Sequence, residues 1–393
     1  MKHISKDGFA VAGSTLVLQL STEVREKRKK GIKVTDGTIG MLFENNGQLS
    51  SLPLFDKALN KALNLENRKY SSVNGPINFQ DALKTWIFKG YAKTILKKYS
   101  TCAAASMGGT AAIVLAIRNY VDKNSVVLLP DVCWGNYASI CQQLERKYEY
   151  YSAFKGNGLN LADIKSKVLN EAKKHKRVTI VINDPCHNPS GYTMSEKEWL
   201  TLIKLFNEVN KKVPVTLIYD AAYIDHSAHP DRYFKLISKT EAKYLTLFCF
   251  SASKSFSVYG LRTGALVGIS KDKDDIIDLK QACTATIRAI WSNPNAHVLG
   301  AIADIVGDKN NWDKIFKYYN TKHKLMEQRY KKARKYFDPL IKGKMLPYKE
   351  GFFFTYRVDN ANKIADDLKK RNIYVLPIQN KFIRVAICSL YDL

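Results

Sequence analysis

Residues 246–264 read TLFCFSASKSFSVYGLRTG, an apolar run that leads into small hydroxyl residues around one lysine. The run Thr246–Ser251 predicts a buried strand, and Lys254 follows its end. An amine placed there can form a Schiff base, and Arg262 further along can hold a phosphate through two parallel hydrogen bonds. Because the chain is rich in lysine, a surface lysine in a loop is the alternative interpretation of Lys254 taken alone.

On both sides of this stretch, short apolar runs alternate with amphipathic segments. The amphipathic segments, such as Leu161–Lys174 and Ser195–Val209, predict helices. The apolar runs predict buried strands at Ser125–Leu129, Val178–Asn183, Val215–Tyr219, Thr246–Ser251 and Ala265–Ser270. This alternation predicts an α/β fold in which helices cover both faces of a mostly parallel sheet, a three-layer arrangement that binds ligands at the carboxyl ends of its strands.

The C-terminal part of the chain follows a different pattern. A long helical pattern runs from about Asn311 to Tyr336 and is followed by short strand-like runs at Gly351–Tyr356, Ile373–Leu376 and Phe382–Ala386. This order is typical of a smaller α+β domain. We therefore predict a large domain over residues 46–304 and a small domain formed by residues 1–45 and 305–393.

Three further motifs lie where predicted strands end. Ser106–Thr110 places two glycines before a helix, so that backbone N–H groups can approach an anion, although such a start is often only structural. Asn183–Gly191 is a polar turn that also fits a plain loop. Tyr219–Tyr223 contains Asp220 directly after a predicted buried strand. Burying its carboxylate is unfavourable unless a cationic group lies next to it.

The composition limits the functional classes. The net charge is +26, yet only 14 of the 62 basic residues are arginine and the lysines are spread along the chain, so we expect no nucleic-acid partner. No apolar run approaches the roughly 20 residues of a membrane helix, and the N-terminus lacks the layout of a signal peptide. Seven scattered cysteines without a CxxC pair predict free thiols and no metal site. We expect a cytoplasmic protein without a membrane partner.

Taken in order, these motifs closely resemble the fold-type-I pyridoxal-phosphate aminotransferases. The best match is to the class I subgroup of aspartate and aromatic aminotransferases, from about Thr38 to Arg384. The most specific matches are Cys186–Gly191 followed by Glu198-Trp199, and Ser292-Asn293-Pro294. The resemblance implies pyridoxal 5'-phosphate as the cofactor and amino acids and 2-oxo acids as substrates.

The resemblance also assigns roles around the cofactor ring. Lys254 would hold the cofactor as a Schiff base and later carry the proton of the substrate, and Asp220 would pair with the ring nitrogen. Asn188 and Tyr223 would bond the phenolic oxygen, and Trp134 would stack on the ring. Three catalytic residues are thus predicted: Lys254, Asp220 and Tyr223.

The phosphate and the substrate have their own predicted residues. Tyr70 would reach the phosphate of a neighbouring subunit, which implies a homodimer with shared active sites. The predicted phosphate-binding residues within one chain are Gly108, Gly109, Thr110, Ser251, Ser253 and Arg262. Arg384 would bind the α-carboxylate and Arg288 a side-chain carboxylate across the interface, while Asn188, Trp134 and Gly40 complete the predicted substrate site.

Two positions depart from the family pattern. The histidine expected three residues after the stacking tryptophan is Tyr137 here, which leaves the tuning of Asp220 open. Residues 38–41 match the N-terminal lid only loosely.

These observations predict an aminotransferase that moves an amino group from aspartate to 2-oxoglutarate by a ping-pong mechanism. An aromatic or broad specificity is the alternative, because aromatic enzymes of the subgroup keep the equivalent of Arg288. A lyase or decarboxylase on the same fold, and a ligand-sensing or nucleic-acid-binding protein, are the more distant alternatives.

Overall fold

A computed structural model describes His3, residues 15–64 and residues 66–393 of the chain. Its strands are β1 Thr35–Asp36, β2 Ser100–Ser106, β3 Val126–Pro130, β4 Lys147–Tyr151, β5 Phe154–Lys155, β6 Gly158–Leu159, β7 Val178–Asn183, β8 Val215–Asp220, β9 Leu245–Ser251, β10 Gly264–Ser270, β11 Lys344–Met345, β12 Phe353–Arg357, β13 Ile373–Tyr374, β14 Leu376–Ile378 and β15 Phe382–Ala386.

The α-helices alternate with these strands along most of the chain. They are α1 Thr15–Lys29, α2 Pro53–Lys61, α3 Ile77–Phe88, α4 Ala92–Lys98, α5 Gly108–Tyr120, α6 Asn136–Gln143, α7 Leu161–His175, α8 Glu196–Asn210, α9 Arg232–Thr240, α10 Ala252–Ser255, α11 Lys273–Ile290, α12 Ala296–Gly307, α13 Trp312–Phe337 and α14 Ala361–Lys370. Among the residues described above, no helix is both long and apolar enough to cross a membrane.

The central sheet has seven strands in the order β2-β10-β9-β8-β7-β3-β4. The five strands from β9 to β4 run parallel to one another, whereas β10 is antiparallel to both of its neighbours. The prediction of a mostly parallel sheet is confirmed. The sheet also contains β2 and β4, which the apolar runs of the sequence did not predict.

Helices cover both faces of this sheet. Successive residues of β7 point to opposite sides, so that Ile180 and Ile182 belong to one hydrophobic cluster and Val181 to another. Helices α7, α8, α3 and α12 contribute to the first cluster, and α5, α6 and α11 contribute to the second. The predicted three-layer α/β arrangement is therefore present.

A second sheet of four strands lies in the C-terminal part, in the order β11-β12-β15-β14. It packs with α13 and α14 in a separate hydrophobic cluster. The N-terminal segment joins this part of the molecule, because β1 pairs in parallel with β13. The division into residues 46–304 and residues 1–45 with 305–393 stays a prediction.

Candidate active site

The carboxyl ends of three adjacent strands bring the predicted motifs together. Asn183 at the end of β7 is the register partner of Asp220 at the end of β8, and Asp220 pairs in turn with Cys249 of β9. Helix α10, which carries Lys254, begins directly after β9. A cavity of about 200 Å³ opens above these ends and is lined by Gly109, Thr110, Ile113, Trp134, Asn183, Asn188, Asp220, Ala222, Tyr223, Ser251, Ser253, Lys254, Tyr259 and Arg262.

Lys254 points its amine into this cavity. Its Nζ donates a hydrogen bond of 2.7 Å to the carbonyl oxygen of Gly40 and lies 4.5 Å from the ring centroid of Tyr259. Burial lowers the pKa of Lys254 to about 8, and the charges of Arg384 and Arg262 act in the same direction. Near neutral pH a larger fraction of this amine is therefore unprotonated than of an ordinary lysine, and the unprotonated form is the nucleophile.

Asp220 is a buried carboxylate with two donors. Its Oδ1 accepts from the backbone N–H of Ala222 at 3.1 Å, and its Oδ2 accepts from the hydroxyl of Tyr137. Burial raises the pKa of Asp220 to about 6, although both donors act to lower it. The carboxylate lines the cavity, so it can pair with a cationic group bound there.

An anion-binding corner lies at the start of α5. Gly108 has a φ of +82°, and a Cβ atom at this position would lie 2.6 Å from a guanidinium nitrogen of Arg262. A Cβ at Gly109 would lie 3.0 Å from the Cβ of Ser251, and Arg262 Nη1 donates to the Ser253 hydroxyl at 3.2 Å. Backbone N–H groups, two hydroxyls and a guanidinium thus converge at a helix N-terminus, which suits a phosphate.

The polar turn after β7 supplies two amides. The side chain of Asn183 accepts from the backbone N–H of Asn188 at 2.7 Å and donates to the backbone carbonyl of Asp220 at 2.9 Å. Asn183 thereby fixes the turn against the neighbouring strand. Asn188 and Tyr223 both face the cavity, and burial raises the pKa of the Tyr223 phenol, which stays protonated at neutral pH and can donate.

Arg384 on β15 is a buried cation beside the cavity. Its guanidinium donates to the carbonyl oxygen of Thr38 at 2.5 Å and to Oδ1 of Asn188 at 3.2 Å, and it lies 4.3 Å from the ring centroid of Phe353. Its Nε is buried without a hydrogen-bond partner, and no carboxylate among the described residues forms an ion pair with it. A buried guanidinium with an unsatisfied donor is suited to binding a carboxylate ligand.

Gly40 lies where a side chain would collide with Phe353, next to the amine of Lys254. A Cβ at this position would come within 2.7 Å of the Phe353 ring. Its carbonyl contacts Lys254, and the nearby backbone N–H of Leu42 donates to the hydroxyl of Tyr259 at 2.9 Å. The carbonyls of Thr38 and Gly40 and the N–H of Leu42 therefore make hydrogen bonds to side chains of the site.

Tyr70 and Arg288 lie apart from the other predicted residues. Neither is among the described residues that line the cavity. Tyr70 is 92% exposed, and Arg288 is an exposed residue near the end of α11 that donates to the Ser292 hydroxyl at 2.7 Å. Their two segments are neighbours, because the side chain of Asn293 bonds both the N–H and the carbonyl of Ser71.

Three residues of the site were absent from the sequence-based prediction of binding residues. Asn183 and Tyr259 line the cavity, and Tyr137 supports Asp220 from behind. The position of Asn183 at the end of a predicted strand, level with Asp220, was the available signal for the first. Tyr259 lies in the same motif as Lys254, with its ring centroid 4.5 Å from the amine, but no local sequence pattern indicates this contact.

The cysteines and histidines form no alternative centre. All seven cysteines are free and buried. Within the described part of the chain, no group of three or more His, Cys, Asp or Glu side chains has the arrangement of a metal site. Burial lowers the pKa of His187 and of His226 to about 4, so both are neutral at pH 7.

Comparison with known proteins places this geometry in a family. The family model described as aminotransferase class I and II matches residues 42–391. The aspartate aminotransferase of Sulfolobus acidocaldarius is 23% identical over 363 residues, which cover 91% of this chain and 82% of that protein. The crystal structure of an aminotransferase from Anaerococcus prevotii is similar with a TM-score of 0.90 and 27% identity, covering 99% of this chain and 96% of the other.

A more distant structure shows the same fold. An aromatic amino acid aminotransferase from Psychrobacter sp. B6, crystallised with aspartic acid, has a TM-score of 0.80 and 17% identity. It covers 97% of this chain and 94% of the other.

Proposed function

Because the chain belongs to the class I and II aminotransferases, whose members use pyridoxal phosphate, we propose that it transfers the amino group of L-aspartate to 2-oxoglutarate. The amino acid donates its nitrogen and leaves as a 2-oxo acid before the second oxo acid enters. The observation that carries the proposal is Arg384, a buried cation with an unsatisfied Nε beside the amine of Lys254. It supports the recognition of an amino acid by its carboxylate at the position where an amine can react.

The residues of the cavity fit pyridoxal phosphate. The corner formed by Gly108, Gly109, Thr110, Ser251, Ser253 and Arg262 would hold the phosphate. Asp220 would pair with the ring nitrogen, Asn188 and Tyr223 would bond the phenolic oxygen, and Trp134 would stack on the ring. When bound, the cofactor supplies an electron sink for the bonds at the substrate α-carbon.

Lys254 performs two tasks in this proposal. Its amine first anchors the cofactor, since its lowered pKa makes it a nucleophile near neutral pH. When substrate is bound, the Nζ of Lys254 would accept the proton from the substrate α-carbon as a general base and would return it as a general acid. Asp220 would remain ionised and pair with the ring nitrogen.

The substrate is held at its α-carboxylate by Arg384. Asn188, which accepts from Arg384 Nη1 at 3.2 Å, orients the guanidinium. The ring of Phe353 covers one face of the guanidinium, and Gly40 leaves room between that ring and the amine of Lys254. The α-carbon is thereby presented to Lys254 with its carboxylate fixed.

The aspartate preference depends on a homodimer in this proposal. Arg288 would bind the second carboxylate of aspartate in the active site of the other subunit, and Tyr70 would reach that subunit's phosphate. The exposure of Tyr70 at 92%, Ile77 at 69% and Ile290 at 56% supports burial of this surface in an assembly, because large apolar side chains at such exposure are suited to an interface.

An aromatic or broad donor specificity is the second candidate. It is supported by the structural likeness to the Psychrobacter enzyme, an aromatic amino acid aminotransferase that was crystallised with aspartic acid. The same likeness fits either donor class, so the donor itself has to be measured.

The test is the absorbance spectrum of the protein loaded with pyridoxal phosphate, before and after separate additions of aspartate, tyrosine and alanine. We expect the visible band to be replaced by the pyridoxamine spectrum fastest with aspartate. A faster conversion with tyrosine would replace the aspartate proposal by the aromatic one. A loaded protein whose spectrum no amino acid changes would refute the roles given to Lys254 and Arg384.

A further inference from the structure

Tyr137 is buried behind the cofactor cavity and contacts two of its walls. It lies in the first turn of α6, is 0% exposed, and its hydroxyl donates to Oδ2 of Asp220. Its ring packs edge-on against Trp134 at a centroid distance of 5.5 Å and an interplanar angle of 90°. One side chain therefore links the carboxylate below the ring site with the aromatic wall beside it.

Asp220 accepts hydrogen bonds from one backbone donor and one side-chain donor. The donor to Oδ1 is a backbone N–H of Ala222, which every residue type at that position except proline would provide. The donor to Oδ2 is the side chain of Tyr137. Because the carboxylate is buried, each donor offsets part of the cost of keeping it ionised, and only the second depends on a side chain.

We propose that Tyr137 is a positioning residue that holds the Asp220 carboxylate ionised and aimed at the ring nitrogen of pyridoxal phosphate, while its ring holds Trp134 in place. This inference rests on the role proposed for Asp220. It assigns the support of Asp220 to a phenol at the position where the resemblance led us to expect a histidine.

A phenol supports the acid in a way that does not change with pH. Burial raises the pKa of Tyr137 well above its ordinary value, so the hydroxyl remains a donor over the whole neutral range. The nearby thiols and phenol are neutral there as well, because burial raises the pKa of Cys133 to about 12 and raises the pKa of Cys249 and of Tyr223. The guanidinium of Arg262 lines the same cavity as Asp220. Lys254 lines the same cavity and is the nearby group that changes charge at about pH 8.

The experiment compares cofactor binding by the wild type and by Tyr137→Phe. Apoprotein is titrated with pyridoxal phosphate between pH 5.5 and 8.5, and the dissociation constant is read from absorbance. We expect binding about tenfold weaker in Y137F at pH 7, as for one hydrogen bond to a charged group. At low pH, protonation of Asp220 weakens cofactor binding, and we call this part of the binding-versus-pH curve the acid limb. Because loss of the hydrogen-bond donor raises the pKa of Asp220, the acid limb of Y137F should move up by about one pH unit.

Two further variants separate positioning from simple packing. Tyr137→His keeps an N–H donor and is expected to restore both the dissociation constant and the acid limb to within about threefold and a few tenths of a pH unit of wild type. Tyr151→Phe is the matched control, because it removes a buried hydroxyl that donates to the carbonyl of Val181 at 2.9 Å, at a site that does not contact Asp220. We expect Y151F to lower the melting temperature without moving the acid limb.

The proposal is overturned if Y137F binds pyridoxal phosphate like the wild type, or if Y151F shifts the acid limb as much as Y137F. If Y137F does not fold, the test uses Y137H alone. A Y137H acid limb at or below that of the wild type supports the proposal, and one displaced upward by a unit or more overturns it. The outcome does not depend on which amino acid is the substrate. A protein that binds the cofactor but does not react with aspartate would refute only the proposed aspartate specificity.

Discussion

The two ends of the candidate active site are built in different ways. At the candidate cofactor end, one chain supplies Lys254, Asp220 and most of the phosphate corner to one cavity, and Tyr137 supports Asp220 from behind it. The proposed side-chain end of the substrate site is not formed within one chain, because Arg288 is exposed and does not line that cavity. The residues proposed for the chemistry therefore lie together around one cavity, whereas the residue proposed for side-chain specificity lies at the surface.

The strongest challenge to the cofactor end is the removal of its amine. Lys254→Ala should lower kcat by on the order of 10⁴-fold or more, because it removes both the anchor and the proton carrier. The measurement is steady-state transfer from aspartate to 2-oxoglutarate. Lys197→Ala, at an exposed position of α8, is the matched control and should retain wild-type rates. Substantial activity in K254A would place the reacting amine elsewhere.

Arg384 lies between the cofactor end and the side-chain end, where it is proposed to bind the α-carboxylate of the substrate. Arg384→Lys keeps the charge but loses the fork that holds a carboxylate, so kcat/KM should fall on the order of 100-fold for every amino acid donor tested. The loss should be similar for aspartate, tyrosine and alanine, since all three share the α-carboxylate. A loss confined to aspartate would instead show that Arg384 binds the side chain.

The side-chain end is tested by Arg288→Ala. We expect kcat/KM for aspartate to fall by about 30-fold, the value of a hydrogen-bonded charge pair, while the value for alanine changes little. Arg118→Ala, which removes another arginine from a helix of the same part of the chain, controls for loss of charge. Equal loss for aspartate and alanine would remove Arg288 from substrate recognition.

A smaller effect is expected from pH on the cofactor end. The rate at which apoprotein captures pyridoxal phosphate should rise by about tenfold or less between pH 7 and 9, because the neutral form of Lys254 accumulates through its pKa of about 8. Stopped-flow absorbance measures this rate. A rate that rises only above pH 10 would show that burial does not activate the amine.

The sequence predicted some strands of the central sheet closely and missed others. Apolar, β-branched runs predicted β7, β8, β9 and β10 closely, and the polar residues at their ends marked the cofactor site. The strand β4 escaped prediction because Lys147–Tyr151 has no apolar run, and β2 because Ser100–Ser106 is rich in alanine, which has little strand preference. Local pattern indicates a strand only where its side chains are the kind that strands favour.

Contacts between distant segments could not be predicted from pattern. The bond between Arg384 and Thr38 joins residues 346 positions apart, and the bond between Tyr137 and Asp220 joins residues 83 positions apart. The resemblance to known enzymes supplied the roles of Arg384 and Asp220, but at residue 137 this chain departs from the pattern. Only the structure shows that the phenol occupies the supporting position.

The register of the central sheet has a consequence for how such a site persists through divergence. Asn183 and Asp220 are partners in a ladder whose hydrogen bonds are made by main-chain atoms, which almost all residue types share. Side chains along β7 and β8 can therefore be exchanged for others of similar bulk while the ladder keeps the two strand ends level. A slip of one residue would turn every side chain to the opposite face, which is strongly disfavoured where the faces of the sheet are buried. The distance between the two strand ends can therefore change only by whole residues, and it can stay the same when most of the surrounding side chains have been replaced.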